Sequence, residues 1–208
     1  ALLLQAEALG IPHAGGLEML VAQAVRSSEQ FTGCTIPDAR IAEITRTLSR
    51  AMQNIVLIGM PGCGKSTIGR LLAARLSREL LDADAAVEAA AGCTIPEIFR
   101  AGGEAAFRAQ ETAALRSLGA RSGCVIATGG GCVTRAENYP LLHQNSVIVW
   151  LRRDAAHLST RGRPLSQGAD LSAMYAARAP LYERFSDCAA DNNGAPEQTV
   201  ENILEVLA

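Results

Sequence analysis

One stretch limits what this chain can fold into more than any other: Asn54 to Thr67, NIVLIGMPGCGKST. Ile55-Val56-Leu57-Ile58 is a short, largely β-branched apolar run, the signature of a buried strand. It stops at Gly59-Met60-Pro61-Gly62-Cys63-Gly64-Lys65-Ser66, which fits G-x-x-x-x-G-K-[ST]. Ile68, Leu71, Leu72 and Leu76 then fall at helical spacing, so a helix begins near Lys65. Strand, glycine-rich loop and helix in this order make an anion cradle. Glycines let the backbone curl until successive N–H groups point inward, and the new helix adds the positive end of its dipole. Gly62, Cys63, Gly64, Lys65, Ser66 and Thr67 are the expected nucleotide contacts. Lys65 is expected to reach the β- and γ-phosphates of a nucleotide, and the Ser66 hydroxyl to sit on Mg²⁺.

From Asn54 onward, strand-like and helix-like patterns alternate, which predicts a parallel sheet with helices on both faces. The strand candidates are Ile55–Ile58, Leu80–Asp82, Cys124–Ala127, Ser146–Leu151 and Cys188–Asp191, about five in all. Residues 1–53 stand apart. Gly10 and Gly15-Gly16 separate Leu2–Leu9 from Leu17–Arg26, and Ile41, Ile44 and Leu48 mark another helix after Thr35-Ile36-Pro37-Asp38. This N-terminal helical extension is too small to bury a good core alone.

Bulk properties remove several function classes. A formal net charge of −2 argues against a nucleic-acid partner held by a basic field. No apolar run approaches the length of a membrane span, and Ala-Leu-Leu-Leu is too short for a signal segment, so a cytoplasmic location is expected. The 6 cysteines form no C-x-x-C and the 3 histidines are far apart, which gives zinc little support. Most of the thiols read as small core or loop residues.

The remaining chemistry lies at strand ends. Asp82-Ala83-Asp84 follows Leu80-Leu81, and two carboxylates at i and i+2 of an extended chain point the same way. One can hold Mg²⁺ through water while the other accepts a proton from an attacking hydroxyl; alternatively, Asp84 caps the alanine-rich helix 85–91. Thr94-Ile95-Pro96-Glu97 opens a helix in which Arg108 and Glu111 are three apart. That pairing fixes a guanidinium fork for a substrate carboxylate, or is an ordinary surface ion pair. Thr128-Gly129-Gly130-Gly131 ends a strand where open α/β sheets bind ligands, and its glycines admit a close approach. Arg152, Arg153, Arg161 and Arg163 gather around helix breakers, either as a lid over the γ-phosphate or as a solvated basic loop. Arg178-Ala179-Pro180-Leu181-Tyr182 follows a helical stretch.

Two resemblances emerge from these motifs. Gly15-Gly16-Leu17-Glu18-Met19-Leu20-Val21-Ala22-Gln23-Ala24 with Phe31-Thr32-Gly33 resembles the C-terminal end of shikimate dehydrogenase, whose substrate-contacting glutamine corresponds to Gln23. The NADP-binding part of that enzyme lies upstream of the matching region. Residues 1–53 are thus expected to be a tail without hydride-transfer activity, joined in a dehydrogenase–kinase fusion to the domain 54–208.

That domain, through GMPGCGKST, DAD, IFRAGGEAAFRAQE, TGGG, RGRPL and RAPLY in order, resembles shikimate kinase. The resemblance implies a three-layer P-loop NTPase-like fold. It also implies transfer of the γ-phosphoryl group of ATP to the 3-hydroxyl of shikimate, by a monomeric kinase domain with Mg²⁺. In the implied roles, Ser66 and Asp82 serve the metal, and Lys65, Asp84 and Arg163 the chemistry. Asp84, Arg108, Gly129, Gly130, Gly131 and Arg178 hold the acceptor, while Arg161 and Arg163 join the nucleotide contacts. Arg161 and Arg163 are only two apart, so the lid is shorter than in many relatives. The loop 191–196 lacks an arginine that many relatives carry there. Rival readings are a kinase for another small metabolite such as gluconate, and a nucleotide-binding regulatory module without an acceptor.

Overall fold

The computed structural model describes residues 2–158 and 171–207. The chain divides into two compact units, Ala1–Gln53 and Asn54–Ala208.

The first unit holds α1 (Leu2–Ala8), α2 (Leu17–Thr32) and α3 (Asp38–Met52). Val21 and Val25 of α2 meet Ile41 of α3, with Leu17, Ile36 and Ile44 packed around them. Gly33 ends α2 in a left-handed conformation (φ 69°), the standard glycine stop. The Ile36 N–H donates to Glu29 Oε1 at 2.7 Å, and Arg26 joins Glu29 to Asp38, so polar contacts close the turn between the two helices.

The second unit is built on a five-stranded sheet in the order β2-β3-β1-β4-β5, with every pairing parallel. The strands are β1 (Asn54–Ile58), β2 (Leu80–Asp82), β3 (Val125–Ala127), β4 (Ser146–Arg152) and β5 (Cys188–Asp191). β1 is central and buried throughout, as its unbroken apolar run requires. Asn54 fastens its start: its Nδ2 donates to Arg121 O at 2.6 Å, and its Oδ1 accepts from Cys124 N–H at 2.9 Å. The sheet's core includes Val56, Leu57, Ile126, Ile148 and Leu151, with Trp150 buried as expected.

Helices cover both faces. α4 (Lys65–Leu76) packs on β1, β2 and β3, and α9 (Pro196–Leu207) on α4 and β5. α7 (Asn138–His143) and α8 (Leu171–Phe185) lie against β4. α8 runs on through Pro180, further than the sequence pattern suggested, so Arg178 and Tyr182 share one helix.

Between β2 and β3 the chain makes an excursion, α5 (Ala83–Ala91) and α6 (Ile95–Gly119), with its own small core of Val87, Ile98, Phe107 and Ala114. Thr94 and Glu97 form a reciprocal capping box at the start of α6. α6 breaks at Gly103 (φ 68°, ψ −169°), a conformation only glycine tolerates. The break folds Phe99 back onto Phe107, with ring centroids 4.8 Å apart.

Candidate active site

The phosphate loop leaves β1 and turns at three glycines of positive φ, Gly59 (145°), Gly62 (84°) and Gly64 (99°). A Cβ on Gly59 would lie 2.7 Å from Leu151 O, so the loop fits beneath β4 only without a side chain there. Gly64 is the N-cap of α4, which starts at Lys65 as the sequence indicated. Lys65 is buried, and its Nζ donates to Gly59 O at 2.9 Å and Met60 O at 3.0 Å, laying the ammonium across the loop. Asn192, on the loop after β5, braces the outside by donating to Cys63 O while accepting from Thr199 Oγ1 at 3.0 Å. Nothing in the local sequence marks Asn192 for this task.

The local geometry of the two aspartates differs from the sequence expectation, and the helix cap is Asp82 rather than Asp84. β2 ends at Asp82, and Asp82 itself caps α5, its Oδ1 accepting from Asp84 N–H at 3.0 Å and Ala85 N–H at 3.3 Å. Asp84 sits in the first helical turn, so it is neither the cap nor part of an extended i, i+2 pair. β2 is also not next to β1 in the sheet, since β3 lies between them. Asp82 nevertheless reaches the phosphate loop, because α4 lies over β3 and β2 and brings Ser66 Oγ to 2.9 Å from Asp82 Oδ2. A Cβ on Gly69 would stand 2.9 Å from Leu80 Cδ1, which shows how closely α4 approaches that strand.

Arg108 and Glu111 are not a surface pair. Arg108 is 6% and Glu111 1% exposed, and Arg108 Nη1 donates to Glu111 Oε2 at 2.7 Å. Glu104 adds a second carboxylate, accepting from Nε at 3.2 Å and Nη2 at 3.1 Å. Burial opposes the charge on Arg108, but Glu111 and Glu104 outweigh it and hold its pKa above the ordinary value. The Glu111 pKa is raised as well: burial pushes it up, Arg108 pulls it down, and Asp84 pushes it further up. Its Oε1 is buried and finds no hydrogen-bond partner among the described residues.

The glycine run after β3 is where these groups meet. A Cβ on Gly129 would lie 2.6 Å from Glu111 Oε1 and 2.9 Å from Asp84 Oδ1. One on Gly130 would press into the Pro61 ring and backbone nitrogen at 2.6 Å, and one on Gly131 would overlap the Arg108 guanidinium. Arg178 Nη1 donates to Gly130 O at 3.2 Å, and Tyr182 Oη donates to the same oxygen at 2.5 Å. Below the loop, Cys132 is fully buried and its thiol is pushed up to about 12, so it stays protonated.

These groups open onto one cavity of about 310 Å³. Of the residues singled out in the sequence, Gly64, Lys65, Ser66, Thr67, Asp82, Asp84, Arg108, Gly129, Gly130, Gly131 and Arg178 line it. Gly62 and Cys63 do not; the Cys63 side chain is buried and its N–H bonds to Met60 O at 3.2 Å. Arg161 and Arg163 lie outside the described residues. Gln23 is exposed on α2. The sequence reading passed over Pro61 and Tyr182. Tyr182 had a signal available, since it stands one helical turn beyond Arg178.

The family model for shikimate kinase matches residues 61–208. The chain belongs to the shikimate kinase family. A shikimate kinase from Synechococcus sp. (strain CC9605) is 40% identical over 80% of this chain and 89% of its own length. One from Ruegeria pomeroyi is 39% identical over 75% and 85%. Among solved structures, shikimate kinase from Acinetobacter baumannii in complex with shikimate has a TM-score of 0.71 and 36% identity, covering 77% of this chain and 96% of that one. Shikimate kinase from Aquifex aeolicus has a TM-score of 0.67 at 30% identity, covering 74% and 95%. Ahead of the kinase region, the model of the shikimate 5'-dehydrogenase C-terminal domain matches residues 16–44. Among the described residues no helix is long and apolar enough to cross a membrane.

Proposed function

We propose that the cavity holds shikimate against the γ-phosphate of ATP, with Asp84 taking the proton of the 3-hydroxyl as it attacks. The chain is an ATP-dependent kinase of the shikimate kinase family. What supports the assignment of residues is the convergence of three elements on one cavity: the phosphate loop, the buried Arg108–Glu111 pair, and Asp84 beside Gly129. An anionic polyol calls for guanidinium forks at its carboxylate and a carboxylate at its hydroxyls, and Arg108, Arg178 and Asp84 provide them.

The donor side divides its work among the loop amides, Lys65 and the hydroxyls of Ser66 and Thr67. Main-chain N–H groups and the α4 dipole neutralise phosphate charge, and Lys65 is placed to bridge the β- and γ-phosphates. Ser66 Oγ and Asp82 Oδ2, 2.9 Å apart, form a hard oxygen pair of the kind that suits Mg²⁺. Among the described residues no three His, Cys, Asp or Glu side chains could hold a metal, and Mg²⁺ needs none, since it keeps waters and phosphate oxygens as its other ligands. Bound there, the ion would spread the charge of the transferring phosphoryl group. Asp84 acts as general base from the first turn of α5, close enough to Glu111 that its charge raises the Glu111 pKa. The sequence resemblance assigns Arg163 to the phosphates and Arg161 to the nucleotide. The domain 54–208 works as a monomer in the cytoplasm, joined in the full-length protein to an upstream dehydrogenase.

The deciding experiment is coupled ADP release with shikimate, quinate and gluconate as acceptors, with and without Mg²⁺. Magnesium-dependent turnover with shikimate and formation of the 3-phosphate are expected. Turnover with gluconate alone, or ATP binding without any phosphorylated product, would overturn the assignment.

A further inference from the structure

Two glycines in sequence form a peptide with little to hold it. A Gly-Gly unit rotates about its flanking bonds with almost no steric penalty, so the Gly130–Gly131 amide needs an anchor if it is to present one face to a ligand. The anchor comes from α8. Gly130 O accepts from Tyr182 Oη at 2.5 Å and from Arg178 Nη1 at 3.2 Å. In a planar trans peptide the N–H points opposite to the carbonyl. With Gly130 O drawn to α8, the Gly131 N–H is turned away from it, on a residue that lines the cavity and lies against the Arg108 guanidinium. Neither Gly130 N–H nor Gly131 N–H meets a protein acceptor among the described residues, although the next two turns of the loop are bonded, Cys132 N–H to Gly129 O and Thr134 N–H to Gly131 O.

Tyr182 is itself held rigidly. It is fully buried, its ring stacks on Trp150 with centroids 5.8 Å apart, and its Oη lies 3.8 Å from Met60 Sδ of the phosphate loop. Burial pushes its phenol well above the ordinary tyrosine range, so the hydroxyl is a donor at every working pH.

We propose that Tyr182 is a positioning residue for the acceptor: its hydroxyl locks the Gly130–Gly131 peptide so that the Gly131 N–H, beside Arg108, faces the carboxylate of shikimate. Without that hydroxyl the peptide keeps only the longer Arg178 contact, and turning over would set a carbonyl oxygen against an anionic group. The proposal rests on the assignment of the cavity to shikimate.

Tyr182→Phe keeps the ring and its stacking and removes only the donor. The expected result is a rise of about tenfold in the KM for shikimate, with the KM for ATP within about twofold of the parent. A merely structural role would lower the melting temperature or the active fraction, and hence apparent kcat, and leave the KM for shikimate where it was. A shikimate KM within about twofold of the parent, whatever happens to kcat, overturns the proposal. Should the variant not fold, the parent enzyme labelled with ¹⁵N-glycine and titrated with shikimate alone decides the matter. The Gly131 amide resonance should move and its hydrogen exchange should slow; an amide indifferent to saturating shikimate overturns the proposal. A parent enzyme with no shikimate-dependent ADP release would instead remove the underlying assignment, so the two failures are distinguishable.

Discussion

Asp82 has both carboxylate oxygens committed, Oδ1 to the first amides of α5 and Oδ2 to Ser66. On the proposed assignment, that double commitment leaves Asp84 to the acceptor. Asp84→Asn should therefore leave the start of α5 intact, since the capping oxygen belongs to its neighbour. Turnover should fall by about 10²–10⁴, the usual contribution of a positioned base. Titration calorimetry with ATP and a thermal melt are expected to show little change, and an unreduced kcat would exclude Asp84 as the base. The paired acids were visible in the sequence, but which of them caps α5 was not. It turns on whether the helix starts at Ala83 or Ala85, and helix ends cannot be placed that finely from a pattern. Arg108 and Glu111 show the same limit: their spacing announced a pair, while only packing distinguishes a buried fork from a surface contact.

At the level of elements, α6 joins two helical halves at Gly103. The first half carries Phe99, and the second carries Arg108 and Glu111. No atom lies within 4 Å of a Cβ built on Gly103, so a side chain there meets no crowding and the penalty is purely one of backbone conformation. Gly103→Ala is expected to cost about 1–3 kcal/mol, the range for a disfavoured φ/ψ region, and helix propensity returns at most about 1 kcal/mol if the break straightens. Straightening would also lift Phe99 from Phe107, so a lower denaturation midpoint should accompany a higher KM for shikimate. Equal stability and equal KM would show that the break carries no structural role. The five strands, the helix at Lys65 and the start of α6 at Thr94 were legible because periodicity and end signals agree there. The break was not, since a Gly-Gly pair within a helical pattern signals a weak point without its geometry.

For the whole molecule, the two units differ in how much of the site they hold. The sheet core begins at Ile55, and the described residues that line the cavity lie between Pro61 and Arg178. Residues 54–208 expressed alone should keep kcat and both KM values within about twofold of the full chain. A loss of more than tenfold in a folded, melting-competent fragment would assign residues 1–53 a part in catalysis. The strand order β2-β3-β1-β4-β5 was beyond the sequence, because a parallel pattern tells that strands pair and not which are neighbours. That order sets the phosphate loop and the glycine run on adjacent strand ends, where the Pro61 ring seats against Gly130 without room for a methyl group. On the proposed assignment, giver and receiver of the phosphoryl group share this wall. A side chain gained at position 130 would need bulk surrendered at position 61, so that part of the acceptor wall can change only together with the phosphate loop.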